Sequence, residues 1–252
     1  MTRIIMHGCN GKMGQVITGI VDKDPDCEIV AGIDISDHIK TNPYPVFTDI
    51  NSCNVDADVV IDFASAKAVD GLLDYCKGKC LPLVLCTTGL NDEQVNKVMV
   101  YSKETAILRS ANMSLGINML LKELKNVASI LAPAGFDIEI VEKHHNQKVD
   151  APSGTALALA DSINQELNKE YNYVYDRSGE RKKRDPKEIG ISAVRGGSIV
   201  GEHEVIFAGT DEVITITHTA YSKAIFANGA VQAAKYLAGK PAGLYDMSQV
   251  IG

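Results

Sequence analysis

Up to Ser110 the chain alternates short apolar runs with longer amphipathic stretches. RIIMH (3–7) leads into a helical pattern from Gly11 to Val21, and EIVAGID (28–34) follows. DVVIDF (58–63) precedes a helix running to Cys76, LPLVLC (81–86) precedes another running to Tyr101, and TAILRS (105–110) closes the series. Runs that are apolar at consecutive positions belong to strands covered on both faces, and helices between them supply the cover. The pattern therefore predicts parallel pairing in a doubly wound α/β sheet of the dinucleotide-binding type.

After Asn112 the pattern changes. A long helix over 115–132 leads to FDIEIVEKHH, where Ile138 and Ile140 alternate with Asp137 and Glu139 as in a half-buried strand. Val141 and Glu142 break that alternation. A helix over 155–168 precedes three β-like segments, 189–196, 199–209 and 211–220, separated by glycine-bearing turns. Consecutive strands without helices between them predict antiparallel pairing. A last helix over 222–238 and the tail are expected to return to the first domain. The expected organisation is a Rossmann-like dinucleotide-binding domain of residues 1–114 and 225–252 around a smaller α+β domain of residues 115–224. Residues 176–188 hold six basic and four acidic side chains, which reads as a solvated loop.

Composition narrows the function classes. At 252 residues the chain can build two modest domains, and its 45% hydrophobic and 23% charged residues are ordinary for a globular protein. A net charge of -7 argues against nucleic acid or an anionic membrane surface as partner, because the long-range field repels polyanions. The opening has no long apolar stretch before its glycines and no run suited to crossing a membrane, so a cytoplasmic protein is expected. Six cysteines occur, all before residue 87, and are expected to be reduced thiols. Cys76 and Cys80 lie one helical turn apart, but no second pair has zinc-site spacing, so no metal is expected.

Gly8, Gly11 and Gly14 stand between the first strand and the first helix in GCNGKMG, a relative of the G-x-G-x-x-G fingerprint. Glycine lets backbone amides approach a pyrophosphate, and the helix N-terminus adds its partial positive charge. Asp34, at the end of the second apolar run, has the spacing of the carboxylate that accepts from a ribose 2′-hydroxyl. Ile35 puts no cation beside it, although Lys12 or Lys40 could reach in. Met13 stands where a Walker A loop needs Ser or Thr, which excludes that reading. CTTG (86–89) and SANMS (110–114) end two further strands, either as plain turns or as backbone approaching a nicotinamide ring.

The stretch EKHHNQKVDAPSGTA (142–156) carries a different chemistry. Adjacent His144 and His145 point to opposite faces of an extended strand and suit a shared metal poorly. His7, His38, His203 and His218 lie in unrelated sequence contexts. Ser153 lacks the G-x-S-x-G elbow of a nucleophile. What remains is an anion site with a proton donor: Lys148 as a point charge, the amides of a helix beginning near Ser153, Gly154 and Thr155, and a histidine that titrates near neutrality. The plainer alternative is a helix cap at Ser153 with both histidines on the surface.

Read as E-x-H-H-x-x-K-x-D-A-P-S-G-T-A, this stretch resembles the signature of the 4-hydroxy-tetrahydrodipicolinate reductase (dihydrodipicolinate reductase) family of lysine biosynthesis. GCNGKMG, Asp62-Phe63, TTG (87–89), ANMSLGIN (111–118), RGGSIVGEH (195–203) and FANGA (226–230) resemble that family in the same order. The pattern departs at Cys86, where the family reads glycine, and in lacking a cation after Asp34, which weighs against a strong NADPH preference.

The resemblance implies hydride transfer from NADH or NADPH to ring C4 of an unsaturated cyclic dicarboxylate, with a proton added to the neighbouring carbon. His144 would be the general acid, assisted by Lys148; His145, Lys148, Gly154 and Thr155 would hold the substrate. Cofactor contacts would come from Gly8, Cys9, Asn10, Gly11, Lys12 and Met13 of the loop, and from Asp34. Cys86, Thr87 and Thr88 would add to these, as would Ser110, Ala111, Asn112 and Met113. The second domain would bind substrate and build a homotetramer. Two other classes remain open on the residues alone: a different two-domain oxidoreductase such as an amino-acid dehydrogenase, and a non-catalytic NAD(H)-binding regulator.

Overall fold

In the computed structural model, which describes residues 1–37 and 40–252, the early apolar runs are strands of one sheet. They are β1 (Thr2–His7), β2 (Cys27–Ile33), β3 (Val46–Phe47), β4 (Val59–Asp62), β5 (Leu83–Leu85) and β6 (Ala106–Leu108). The helices between them are α1 (Lys12–Val21), α2 (Val69–Gly78) and α3 (Asp92–Tyr101). Then follow α4 (Leu115–Leu131), β7 (Asp137–His144), α5 (Gly154–Glu166), β8 (Asn172–Val174), β9 (Glu188–Arg195), β10 (Gly201–Ala208) and β11 (Val213–Ala220). The chain ends with α6 (Ala224–Leu237), β12 (Gly243–Tyr245) and α7 (Met247–Ile251). Two units result, one of Met1–Leu115 with Ala224–Gly252, the other of Gly116–Lys223. α6, β12 and α7 lie in the first unit.

The first sheet is wholly parallel, in the order β12-β6-β5-β4-β1-β2-β3. Its strands are buried on both faces because alternate residues feed separate cores. Ile4, Met6, Val59 and Ile61 pack under α1 and α6, while Ile5, Val60, Leu83 and Leu85 pack under α2 and α3. Each such side chain contributes about 1.5–3 kcal/mol when fully buried. α6 comes close because Gly229 has no side chain: a Cβ there would stand 1.7 Å from the Met113 carbonyl oxygen. Strand order reverses between β1 and β4, which opens a crevice at their C-terminal ends.

The second sheet runs β11-β10-β7-β9-β8. β10 is antiparallel to β7 and β11, as expected, but β9 pairs parallel with both β7 and β8. The antiparallel pairing expected of consecutive strands therefore holds for β10 and β11 but not for β9 and β10, because β7 lies between them and α5 provides the crossover that lets β9 run alongside β7. Its core joins Ile138, Ile140, Ile191, Val205 and Phe207 to Leu120 and Leu124 of α4 and Leu159 and Ile163 of α5.

Three further expectations change. β7 does not lose its alternation: Ile138, Ile140, Glu142 and His144 are all buried on one face, so Glu142 follows the period as a buried carboxylate. The basic loop is not simply solvated, because Arg184 bonds Asp137 and Glu139, and Arg177 bridges Glu139 and Glu188. The short β3, β8 and β12 were invisible in the apolar pattern; strands of two or three residues show too little periodicity. All six cysteines are free. Among the described residues no helix is long and apolar enough to cross a membrane.

Candidate active-site residues

The glycine loop packs as a cradle. Gly8 has φ +82°, and a Cβ there would stand 2.8 Å from the Phe63 carbonyl oxygen; on Gly14 it would stand 2.3 Å from that of Gly8. Gly11 is the N-cap of α1 and makes no side-chain cap, so the first-turn amides are open to an anion. A cavity of about 700 Å³ lies here, lined by Gly8, Asn10, Gly11 and Asp34, and also by His7 and Phe63. Asp34 Oδ2 accepts from the Asn10 amide at 2.8 Å, and Oδ1 from the Ile35 amide at 2.8 Å. The Asn10 side chain donates to Ser36 O and accepts from Asn42, which places Asn42 in the loop's support.

The other expected cofactor residues divide by burial. Cys9 has its side chain in the core, where burial pushes the thiol up to about 11, so it offers only backbone. Lys12 and Met13 form the start of α1, Lys12 exposed and Met13 against the core. Cys86, Thr87 and Thr88 follow β5, while Ser110, Ala111, Asn112 and Met113 follow β6, both at the sheet's C-terminal edge but outside the cavity lining. Burial, with Asp62 nearby, holds the Cys86 thiol well above its ordinary value. Thr87 Oγ1 is buried with no hydrogen-bond partner among the described residues. That orphaned hydroxyl, the uncapped helix and the glycine cradle fit a dinucleotide.

A pair that sequence reasoning missed stands at the strand crossover. His7 Nδ1 lies 2.7 Å from the buried Asp62 Oδ1, because β1 and β4 bring these two residues into register at their ends. The shared strand-end position and the Asp62-Phe63 motif noted above were the signals available. His38, set aside above, lies outside the described residues.

In the second unit the motif from Glu142 to Thr155 closes on itself. His144 ends β7 and is buried; His145 and Lys148 follow in a turn, where the Lys148 amide donates to His145 O at 3.1 Å. Lys148 Nζ lies 2.8 Å from Asp150 Oδ1, and that ammonium, aided by the Gly154 amide, holds the Asp150 carboxyl below the usual range. Ser153 caps α5, its Oγ accepting from the Ala156 amide at 3.1 Å, so Gly154 and Thr155 form the first turn. His144, Lys148, Gly154 and Thr155 are thus gathered in one unit around the start of one helix.

Beneath them lies a polar layer. Glu142 accepts from His144 Nδ1 at 2.6 Å, from the Ser153 amide at 2.9 Å, and from both Nη atoms of Arg195 at 2.7 Å. Burial alone would raise its pKa, but the bonds from Arg195, His144 and Ser153 outweigh that and hold it below the ordinary value. His203 Nε2 lies 2.9 Å from Ser153 Oγ, and its ring stands edge-on to His144 with centroids 5.1 Å apart. His218 faces His203 across the β10–β11 ladder. The earlier view that His203 and His218 belong to unrelated contexts is therefore corrected: strand pairing, which the local sequence does not reveal, brings them in. Among the described residues no group of three or more His, Cys, Asp or Glu is placed to hold a metal ion.

Known proteins match this chain along nearly its whole length. A family model described as dihydrodipicolinate reductase, N-terminus, matches residues 2–113, and its C-terminus counterpart matches residues 116–251. The 4-hydroxy-tetrahydrodipicolinate reductase of Caldanaerobacter subterraneus subsp. tengcongensis is 51% identical, covering 100% of this chain and 98% of that one. The enzyme of the same name from Clostridium novyi is also 51% identical, with coverages of 100% and 98%. Among solved structures, a dipicolinate-bound dihydrodipicolinate reductase from Paenisporosarcina sp. TG-14 shares the fold with a TM-score of 0.81 at 24% identity, covering 98% of this chain and 97% of that one. Two family models that together span nearly every residue, and full-length relatives at half identity, lead to one conclusion: this chain belongs to the dihydrodipicolinate reductase family.

Proposed function

We propose a division of labour among residues for the family's reaction, the NADH- or NADPH-dependent reduction of 4-hydroxy-tetrahydrodipicolinate to tetrahydrodipicolinate in the diaminopimelate route to lysine. The observation that carries it is the grouping, within one unit, of a buried imidazole, an ammonium and a fresh helix N-terminus. The dicarboxylate substrate needs cationic and amide donors, and the turn from His145 to Thr155 supplies them. The Gly154 and Thr155 amides and the Thr155 hydroxyl hold one carboxylate, and His145 and Lys148 contact the same ring. Asp150 holds the Lys148 ammonium, at 2.8 Å, and accepts from the Gly154 amide, so an incoming carboxylate takes its place on both. His144 gives its proton to the ring carbon beside the one reduced, with Lys148 assisting.

A bound nicotinamide supplies the hydride. Gly8 to Met13 receive its pyrophosphate, Asp34 its adenosine ribose, and the segments 86–88 and 110–113 its nicotinamide end. Function as a cytoplasmic homotetramer completes the proposal.

The test is a coupled assay in which enzymatically generated substrate is supplied and NADH or NADPH oxidation is followed. His144→Gln should lower kcat by roughly 10²- to 10⁴-fold while leaving cofactor affinity almost unchanged. Near-normal turnover by the variant would remove His144 from the proton-donor role. Amine-dependent reduction of NAD without oxidation of NADH by the cyclic substrate would point instead to an amino-acid dehydrogenase.

A further inference from the structure

Position 142 is where the β7 alternation asks for an apolar side chain, yet a fully buried carboxylate stands there, 0% exposed. A buried ion pair is seldom more stable than a well-packed apolar replacement, so stability alone does not account for it. Its bonds do. Arg195, reaching across from β9, grips both oxygens, and the Ser153 amide adds a third donor. These three fix the carboxylate; the fourth donor, His144 Nδ1 at 2.6 Å, is what the fixed carboxylate holds. The two residues are neighbours on one face of the same strand, so no loop motion separates them.

We infer that Glu142, braced by Arg195, is the positioning residue for proton transfer: it pins the proton on His144 Nδ1 and leaves Nε2 as the atom that gives up its proton to substrate. This rests on the reading of His144 as proton donor. The step balances simply: the Nε2–H bond breaks, a C–H bond forms on the substrate ring, and the imidazolium becomes neutral imidazole with its Nδ1–H still on Glu142. Glu142 takes up no proton, because the bidentate Arg195 keeps it ionised. The ring is further fenced by its surroundings. A Cβ on Gly201 would stand 3.1 Å from Nε2, so glycine leaves that edge its space. His203 from β10 stands edge-on to the ring and is itself held by Ser153, with His218 from β11 beyond it. Lys148 and Asp150 are the remaining charged groups on the turn after β7.

Glu142→Gln keeps the volume and removes the charge. It should lower kcat roughly 10- to 100-fold, as loss of an orienting hydrogen-bond partner does, with KM for the nicotinamide cofactor unchanged. The alkaline limb of the kcat–pH profile should move to lower pH, a change that a merely structural role would not produce. In a His144→Gln background the same substitution should change kcat by less than about twofold, because its path runs through the imidazole. Glu142→Asp, which keeps the carboxylate, should recover part of the loss, and Arg195→Lys, which loses the two-pronged grip on it, should show a milder form of the same loss. Independently of any variant, ring ¹⁵N signals of wild type labelled with [¹⁵N]histidine should place neutral His144 in the Nδ1–H tautomer.

A wild-type-like Glu142→Gln enzyme beside a crippled His144→Gln would overturn the role of Glu142 alone. So would full additivity in the double variant, or an Nε2–H tautomer in wild type. Near-normal His144→Gln turnover would overturn both readings together. If Glu142→Gln fails to fold, the tautomer measurement still decides.

Discussion

Asp34 braces the glycine loop and, in the proposed reading, also receives the adenosine ribose. Its carboxylate braces the glycine loop through the Asn10 amide, and it stands at the end of β2 where a ribose hydroxyl would seek an acceptor. A 2′-phosphate brought beside it meets Coulomb repulsion that the neutral Ile35 cannot offset. Asp34→Ala should therefore shift the kcat/KM ratio toward NADPH, and it should weaken both cofactors because the loop loses its brace. Both cofactors must be compared at one ionic strength, since salt screens the phosphate. A wild type that strongly prefers NADPH, unshifted in the variant, would show that Asp34 does not set the choice.

At the scale of elements, β10 carries a buried histidine whose neutrality matters for folding. Burial foremost, then repulsion from His144, pushes His203 down to about 4 from an ordinary 6.5. Between those values the unfolded chain binds more protons than the folded one, so stability rises with pH across that window and is lost as pH falls through it. The effect is worth up to about 3 kcal/mol. Glu142 acts in the same direction at the acid end, because its folded-state carboxyl lies below the ordinary value and its stabilising bonds are lost on protonation. Urea midpoints from pH 7 to 4 should fall steeply for wild type, and more shallowly for His203→Gln. Parallel slopes would mean that His203 does not titrate on unfolding. The outward face of the same sheet has another character: Val141, Val194, Ile206 and Val213 lie on the side away from α4 and α5.

For the whole molecule, that outward face bears on assembly. An open sheet with Val194 44% and Val213 61% exposed leaves apolar area in water that a second copy would cover. Wild type should sediment as four 27.1 kDa chains, and Val194→Asp should shift it to smaller species. A monomer in the wild type would sink the tetramer. The two units also differ in how they were visible beforehand. The parallel sheet was legible because both-face burial writes continuous apolar runs, whereas the second sheet was legible strand by strand but not in its pairing.

What the sequence by itself determined is whatever depends on near neighbours. Helix and strand periods, the glycine loop between β1 and α1, the strand-end carboxylate at Asp34 and the start of α5 at Ser153 are all set within a few residues by sterics and hydrogen-bonding chemistry. The motif from Glu142 to Thr155 likewise showed which side chains could act together. Only the tertiary structure decided which distant groups complete them. Arg195 meets Glu142 across 53 positions, His203 meets Ser153 across 50, and Asp62 meets His7 across 55. Each meeting depends on the register between strands, and one strand's pattern reports which face a residue takes but not what stands opposite it. Glu142 shows the consequence. Its charge reads as a break in β7 until Arg195, the Ser153 amide and His144 are in place around it, and then the same charge is the reason the imidazole faces one way.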